Sequence, residues 1–233
     1  MLIAGFPAAA FDTNCYVVAP GAGEECVVLD PGIGVVDDLD AVLAEHRLKP
    51  VAVLLTHGHL DHTFSVTPVC GARDVPAYLH PGDDHMMRDP LSGISPETRA
   101  MFGGRLEWSE PDDVKPLADG EVLHIAGLEI TVDHAPGHTP GSVAFRLPHD
   151  EAPQVMFSGD LLFAGSIGRT DLPGGDHATM LRSLAGKVLT LPDAVAVLPG
   201  HGPRTTIGRE RAGNPFLQDL ATTGGIPAPG RGL

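Results

Sequence analysis

Apolar residues fall mainly in short runs closed by glycine, proline or an acid, the pattern of strands rather than of long helices. Thr13 to Val18 and Cys26 to Leu29 form two such runs, and Pro20-Gly21-Ala22-Gly23 between them predicts a hairpin turn. Met1 to Pro7 is apolar, lacks a positive region ahead of it and is interrupted early by Pro7, which fits a first strand better than a leader peptide. Val51 to Leu55 predicts a buried strand and Val75 to Leu79 a shorter one. Leu128 to Val132, Val155 to Phe157 and Val195 to Leu198 follow later in the chain. Helical spacing appears at Val36, Leu39, Val42 and Leu43, with acids early and Arg47 and Lys49 at the end, as the helix dipole favours. Asp176 predicts the cap of a second helix reaching about Lys187.

From about Pro81 to Pro116 the pattern breaks down into prolines, Gly103-Gly104 and the single Trp. This stretch is expected to be an excursion between two β-rich halves, with short helices, placed to lie over an active site. Residues 1–220 are expected to form one domain. Residues 221–233, small and rich in Gly and Pro, are expected to be a fraying tail. Pattern alone gives a mixture of α and β.

The first change to that picture comes from His57-Gly58-His59-Leu60-Asp61-His62, directly after the Val51–Leu55 run. An extended backbone sends residues i and i+2 to one side, so His57 and His59 can face one ion. Asp61 and His62 follow where the backbone is expected to turn, and can address a second point nearby. Imidazole and carboxylate are natural ligands for zinc, iron or manganese.

Composition narrows the class. The chain has 233 residues, enough for a substantial core, and 30 acidic against 15 basic residues give a net charge of −15. That balance argues against nucleic acid or an anionic membrane as partner. No segment approaches the ~20 apolar residues that span a bilayer. Cys15, Cys26 and Cys70 are odd in number, widely spaced and set among apolar residues. They predict buried packing, no disulfide framework and a reducing, cytoplasmic setting.

His-x-His-x-Asp-His over residues 57–62 resembles the signature of the metallo-β-lactamase fold superfamily. Three later segments strengthen the likeness: Gly137-His138-Thr139-Pro140-Gly141-Ser142, Ser158-Gly159-Asp160 and Pro199-Gly200-His201-Gly202-Pro203, each past a β-rich run. The resemblance implies an α/β (α+β) fold, an αββα sandwich with the metal site at the edges of its two sheets. It implies a first ion on His57, His59 and His138, a second on Asp61, His62 and His201, and Asp160 bridging them. Zinc is the expected metal, with iron or manganese as alternatives. Two ions about 3.5–4 Å apart can share a hydroxide, the expected nucleophile, so no Ser or Cys is required. Asp61 and Asp160 are the expected catalytic carboxylates, Asp61 by orienting the hydroxide.

The flanks resemble a narrower group. The His138 segment is similar to that of glyoxalase II-type (hydroxyacylglutathione hydrolase-like) enzymes. Phe163 to Asp171 is similar to a stretch shared by small glyoxalase II-like proteins and persulfide dioxygenases. Residues 199–208 with Asn214-Pro215-Phe216 favour the first group. The implied activity is hydrolysis of a small, anionic thioester of the S-acyl-glutathione type. The alternative is a persulfide dioxygenase using a single iron on His57, His138 and Asp160. Arg169 aligns with the basic residue that meets the glutathione glycine carboxylate in the family; the competing expectation is a salt bridge with Asp171. The stretch after His201 is short for the helical domain that supplies glutathione contacts in full-length relatives, which leaves the thiol carrier open. Asp160, where a Cys would stand, speaks against β-lactam hydrolysis. His46, His80, His85, His124, His149 and His177 are expected to be structural or surface residues, and His134 to lie just behind the His138 loop.

Overall fold

A computed structural model describes residues 1–102, 107–148 and 153–222. Gly103-Gly104, His149 and the expected tail from 223 onward lie outside the described residues. The first sheet runs in chain order: β1 (Leu2–Pro7), β2 (Asn14–Ala19), β3 (Glu25–Leu29), β4 (Lys49–Leu54), β5 (Ala77–Leu79) and β6 (Val114–Pro116). β1, β2 and β3 pair antiparallel through short turns, whereas β3, β4, β5 and β6 pair parallel. Parallel neighbours need crossovers. α1 (Val36–His46) and α3 (Val66–Arg73) supply two of them, with α2 (Leu60–Thr63) inserted directly after β4.

The expected excursion proves partly regular. It carries α4 (Asp84–Arg88) and α5 (Pro96–Phe102) before β6. The second sheet comprises β7 (Val122–Ile125), β8 (Leu128–His134), β9 (Val143–Leu147) and β10 (Val155–Gly159), with β13 (Ala196–Pro199) and β14 (Thr205–Thr206) beyond them. A small hairpin, β11 (Leu162–Phe163) with β12 (Ser166–Ile167), and α6 (His177–Ser183) separate β10 from β13. Asp176 caps α6 by accepting from Thr179 N at 2.6 Å, and the helix widens into one π turn over Leu184–Val188, close to its expected end. α7 (Ile207–Gly213) and α8 (Pro215–Thr222) close the chain.

Period-two alternation places the layers. On β3, Val27 and Leu29 face the second sheet while Cys26 and Val28 pack under α1 and α3. On β10, Phe157 faces the first sheet while Met156 packs against α6, α7 and α8. The result is helix, sheet, sheet, helix: the αββα sandwich that the resemblance implies. Phe145 and Phe157 fill the space between the sheets, and cutting either to Ala would cost about 3–5 kcal/mol.

Cys15, Cys26 and Cys70 are buried and free. Burial pushes the Cys26 and Cys70 thiols up to about 12 and Cys15 higher still, so none is poised as a nucleophile. Among the described residues, no helix is long and apolar enough to cross a membrane.

Candidate metal centre

The ends of β4, β8, β10 and β13 open at one edge of the sandwich, and each delivers one polar motif there. Asp61 and His62 sit in α2 rather than in an irregular turn. The start of β2 closes the edge. Asn14 N donates to Gly200 O at 2.7 Å, the Tyr16 hydroxyl donates to Pro199 O at 2.8 Å, and Thr13 pairs with His201. A side chain on Gly200 would collide with Asp160 Oδ1, and one on Gly168 with the Asp160 carbonyl, so both close approaches need glycine.

All seven side chains singled out as ligands come together here. His57 Nε2, His59 Nδ1 and His138 Nε2 form a triangle with edges of 3.1, 2.8 and 3.2 Å. His62 Nε2, His201 Nε2 and Asp61 Oδ2 form a second group. The nitrogens lie 3.2 Å apart, and the carboxylate oxygen is 3.6 Å from His62 and 3.2 Å from His201. Asp160 stands between the groups: Oδ1 is 3.4 Å from His62 Nε2, and Oδ2 is 3.5 Å from His138 Nε2 and 3.7 Å from His201 Nε2.

Outer contacts set the ring tautomers. His138 Nδ1 faces the Arg169 carbonyl at 2.7 Å and His201 Nδ1 faces the Phe11 carbonyl at 3.1 Å, so both must donate. His62 Nδ1 donates to Asp30 Oδ2 at 3.0 Å. Thr56 Oγ1 gives its proton to Asp30 Oδ2 at 2.7 Å, and therefore accepts from His57 Nδ1 at 3.1 Å. Each of these four imidazoles thus turns its Nε2 inward. His59 is reversed, with Nδ1 inward, and its buried Nε2 has no partner; buried Asp160 Oδ1 has none either. Ring nitrogens converging within about 3 Å of one another, beside an orphaned carboxylate oxygen, are the donor set a divalent cation needs once any proton on them is displaced.

Electrostatics divide the two groups. Burial, reinforced by neighbouring imidazoles, holds His57 well below the ordinary value and brings His59 down to about 3. Burial also opposes a proton on His62, but Asp61 and Asp160 outweigh it and raise His62 well above its usual value. His201 is raised in the same way by Asp61 and Asp160 against burial. Burial would raise both carboxyls, but the imidazoles around Asp61 and Asp160 outweigh it and hold them low.

Residues 8–201 match the metallo-beta-lactamase superfamily. The chain belongs to that superfamily. An uncharacterized protein of Mycobacterium leprae is 47% identical over 221 residues, covering 94% of this chain and all of that one. The hydroxyacylglutathione hydrolase GloC of Haemophilus influenzae is 36% identical over 212 residues, covering 91% of this chain and 95% of its own length. Among solved structures, the BLEG-1 B3 metallo-beta-lactamase superposes with a TM-score of 0.81 at 40% identity, covering 93% of this chain and 99% of that one. TTHA1623 in a di-iron-bound form follows at 0.76 and 41%, covering 92% and 100%.

Beside the superfamily's metal edge lies a cavity of about 480 Å³, floored by His59, Asp61, His138, Asp160 and His201. The excursion contributes Ile94, Ser95 and Thr98 to its wall. Arg169 lines it too. Its guanidinium forms the expected salt bridge, gripping Asp171 through Nε at 2.7 Å and an Nη at 2.8 Å. His134, expected behind the His138 loop, contacts the Pro140 carbonyl through Nε2 at 2.9 Å and stacks on His80 at 3.9 Å.

Two supporting acids escaped the sequence reading. Asp30 holds Thr56 N and Oγ1 as well as His62. Asp83 accepts from Gly58 N at 2.9 Å, Thr139 Oγ1 at 2.6 Å and Gly141 N at 2.6 Å, tying the His57 loop to the His138 loop. Burial raises the Asp83 carboxyl even against those three donors. Asp30 carried a signal, an acid ending a buried strand. Asp83 carried none, because it sits in the irregular stretch.

Proposed function

We propose that the protein is a metal-dependent hydrolase that cleaves a thioester of the S-acyl-glutathione type. The observation carrying this reading is the convergence of five inward imidazole nitrogens and two carboxylates beneath one cavity. The likeness to GloC supports the thioester as bond. His57, His59 and His138 would hold one divalent ion and Asp61, His62 and His201 the other, with Asp160 shared. When bound, the pair of ions supplies an acidified water and a Lewis acid for the carbonyl oxygen.

The chain's own residues do the rest. Asp160, reaching both groups, keeps the two ions together. Asp61, with Oδ2 pinned by Thr13 Oγ1 at 3.0 Å, orients the attacking water. Arg169, at the cavity wall, takes a carboxylate of the thiol carrier. Zinc or iron suits this nitrogen- and oxygen-rich set, and the di-iron-bound neighbour supports iron as readily as zinc. A single-iron dioxygenase on His57, His138 and Asp160 would leave Asp61, His62 and His201 without a task, which favours the hydrolase.

Metal content and thioester cleavage, measured on one preparation, test the reading. About two ions per chain with hydrolysis of S-lactoylglutathione is the expected result. One iron per chain, with oxygen uptake on a persulfide and no thioester cleavage, would replace it.

A further inference from the structure

Away from the metal-facing side chains, the wall of the cavity over the metal centre is largely apolar. On the side of the first sheet it presents Phe11, Ile33, Leu60 and Ile94. Arg169 comes from the opposite side, on the chain following β12. Among the described residues lining the cavity, Arg169 is the one guanidinium or ammonium group, and Asp171 already engages it. Phe163, Ile167 and Leu172 add apolar surface on the Arg169 side, and Ser95, Thr98 and Ser166 add hydroxyls, so away from the metal-facing side chains the cavity is largely apolar with a single cationic group.

Phe11 makes the apolar wall more than an accident of packing. Phe11 is 67% exposed, and it and Asp12 both have left-handed backbones, φ 63° and 53°. Left-handed geometry costs an ordinary residue about 1–2 kcal/mol, and an exposed aromatic ring gains nothing from burial in return. The Phe11 carbonyl meanwhile receives the His201 Nδ1 proton, so the loop that raises the ring is anchored on the metal centre. Such a ring is useful when something apolar lies against it.

We propose that the cavity selects thioesters whose acyl group is an apolar chain seated on Phe11, Ile33, Leu60 and Ile94, with the anionic carrier directed toward Arg169. The inference rests on the thioesterase reading and gives it a substrate class. Hydrolysis breaks the acyl carbon–sulfur bond and joins that carbon to the oxygen of water. One water proton goes to the departing sulfur, and the other leaves the new carboxyl group to solvent.

The test holds the carrier constant and varies the group on sulfur. Each methylene buried should strengthen binding about two- to fourfold. S-hexylglutathione, a thioether that cannot be cleaved, should therefore bind the metal-loaded protein about thirtyfold or more tightly than S-methylglutathione by calorimetry. S-hexanoylglutathione should exceed S-lactoylglutathione in kcat/KM. Phe11→Ser and Ile94→Ser, on separate segments, should each flatten the chain-length dependence. Equal binding of the two thioethers, failure of both to bind, or a preference for the lactoyl substrate would overturn the inference. If neither thioester is cleaved but the binding series holds, hydrolysis falls and the apolar subsite stands.

Discussion

His57, His59 and His138 occupy the buried end of the centre, whereas Asp61 and His201 stand at its open end with side chains 25% and 28% exposed. The buried group is all imidazole, and desolvation keeps His57 and His59 neutral. The open group contains a carboxylate, and with Asp160 it draws protons onto His62 and His201. One group is thus ready for a cation, and the other must exchange protons to take one. The contrast teaches that a dinuclear centre need not hold its two ions equally. Here the first should be the tighter and the less dependent on pH, the second weaker and more dependent on pH.

The sharpest way to break that contrast is to remove the residue both groups share. Asp160→Ala should lose activity entirely and lower metal content at both positions, because Asp160 approaches His138 as well as His62 and His201. Full activity with normal metal, measured by elemental analysis beside the thioester assay, would defeat the shared-ligand role.

Next in size come the two supporting acids, which divide along the same line. Asp30 touches His62 directly, so Asp30→Ala should weaken the second ion about 10- to 100-fold and the first less. Asp83 binds the loops on either side of the buried group. Asp83→Ala should weaken the first ion, and it should lower stability by about 1–3 kcal/mol by leaving Gly58 N and Gly141 N without that acceptor. Competition with a chromophoric chelator and thermal denaturation separate the two. Equal effects of both variants on both ions would erase the distinction.

The division between what was legible in the sequence and what was not has a physical origin. Ligands lie on strand ends, and strand ends are marked by apolar runs and glycines, so His57 through His201 stood out and the αββα layering followed from the family likeness. Strand bounds were close: Thr13–Val18 became Asn14–Ala19, and the Asp176 cap appeared where expected. α3, α7 and α8 went unread. Pro68 and Gly71 interrupt the first, and short amphipathic segments at the chain's end look like loop. Asp30 and Asp83 act only through contacts 25 to 58 residues away in sequence, and local pattern cannot report contacts of that kind.

Acidification sharpens the comparison at smaller cost. His62 is raised well above its ordinary value in the metal-free fold, so near neutrality it holds a proton that the second ion must displace, and His201 is shifted in the same direction. The second ion's affinity should fall as pH falls, and its binding at pH 7 should release about one proton per ion or more. His57 and His59 are neutral there and have no extra proton to release, so uptake of the first ion should release fewer protons than uptake of the second. The sign for stability is opposite in the two groups. A lowered His59 contributes stability above its ordinary value of 6.5, and that contribution is lost as pH falls toward about 3. A raised His62 contributes stability at low pH, and that contribution is lost as pH rises through its folded value. Calorimetric metal titrations in buffers of different ionisation enthalpy give the proton count; equal release at both steps would refute the asymmetry.

Arg169→Ala should have the smallest effect and the most specific one. The backbone carbonyl of residue 169, not its side chain, orients His138, so the substitution leaves the buried group's geometry alone. The guanidinium itself is exposed and shared with Asp171, so its hold on a substrate carboxylate competes with an existing partner and with solvent. KM for an anionic thioester should therefore rise only about two- to fivefold, the range of an exposed ion pair, with kcat and metal content unchanged. A fall in kcat with loss of the first ion would mean that the side chain supports the buried group after all, and the separation between metal end and substrate wall would no longer hold. An unchanged KM would leave the Asp171 ion pair as the side chain's whole role, and carrier recognition would pass to residues other than Arg169.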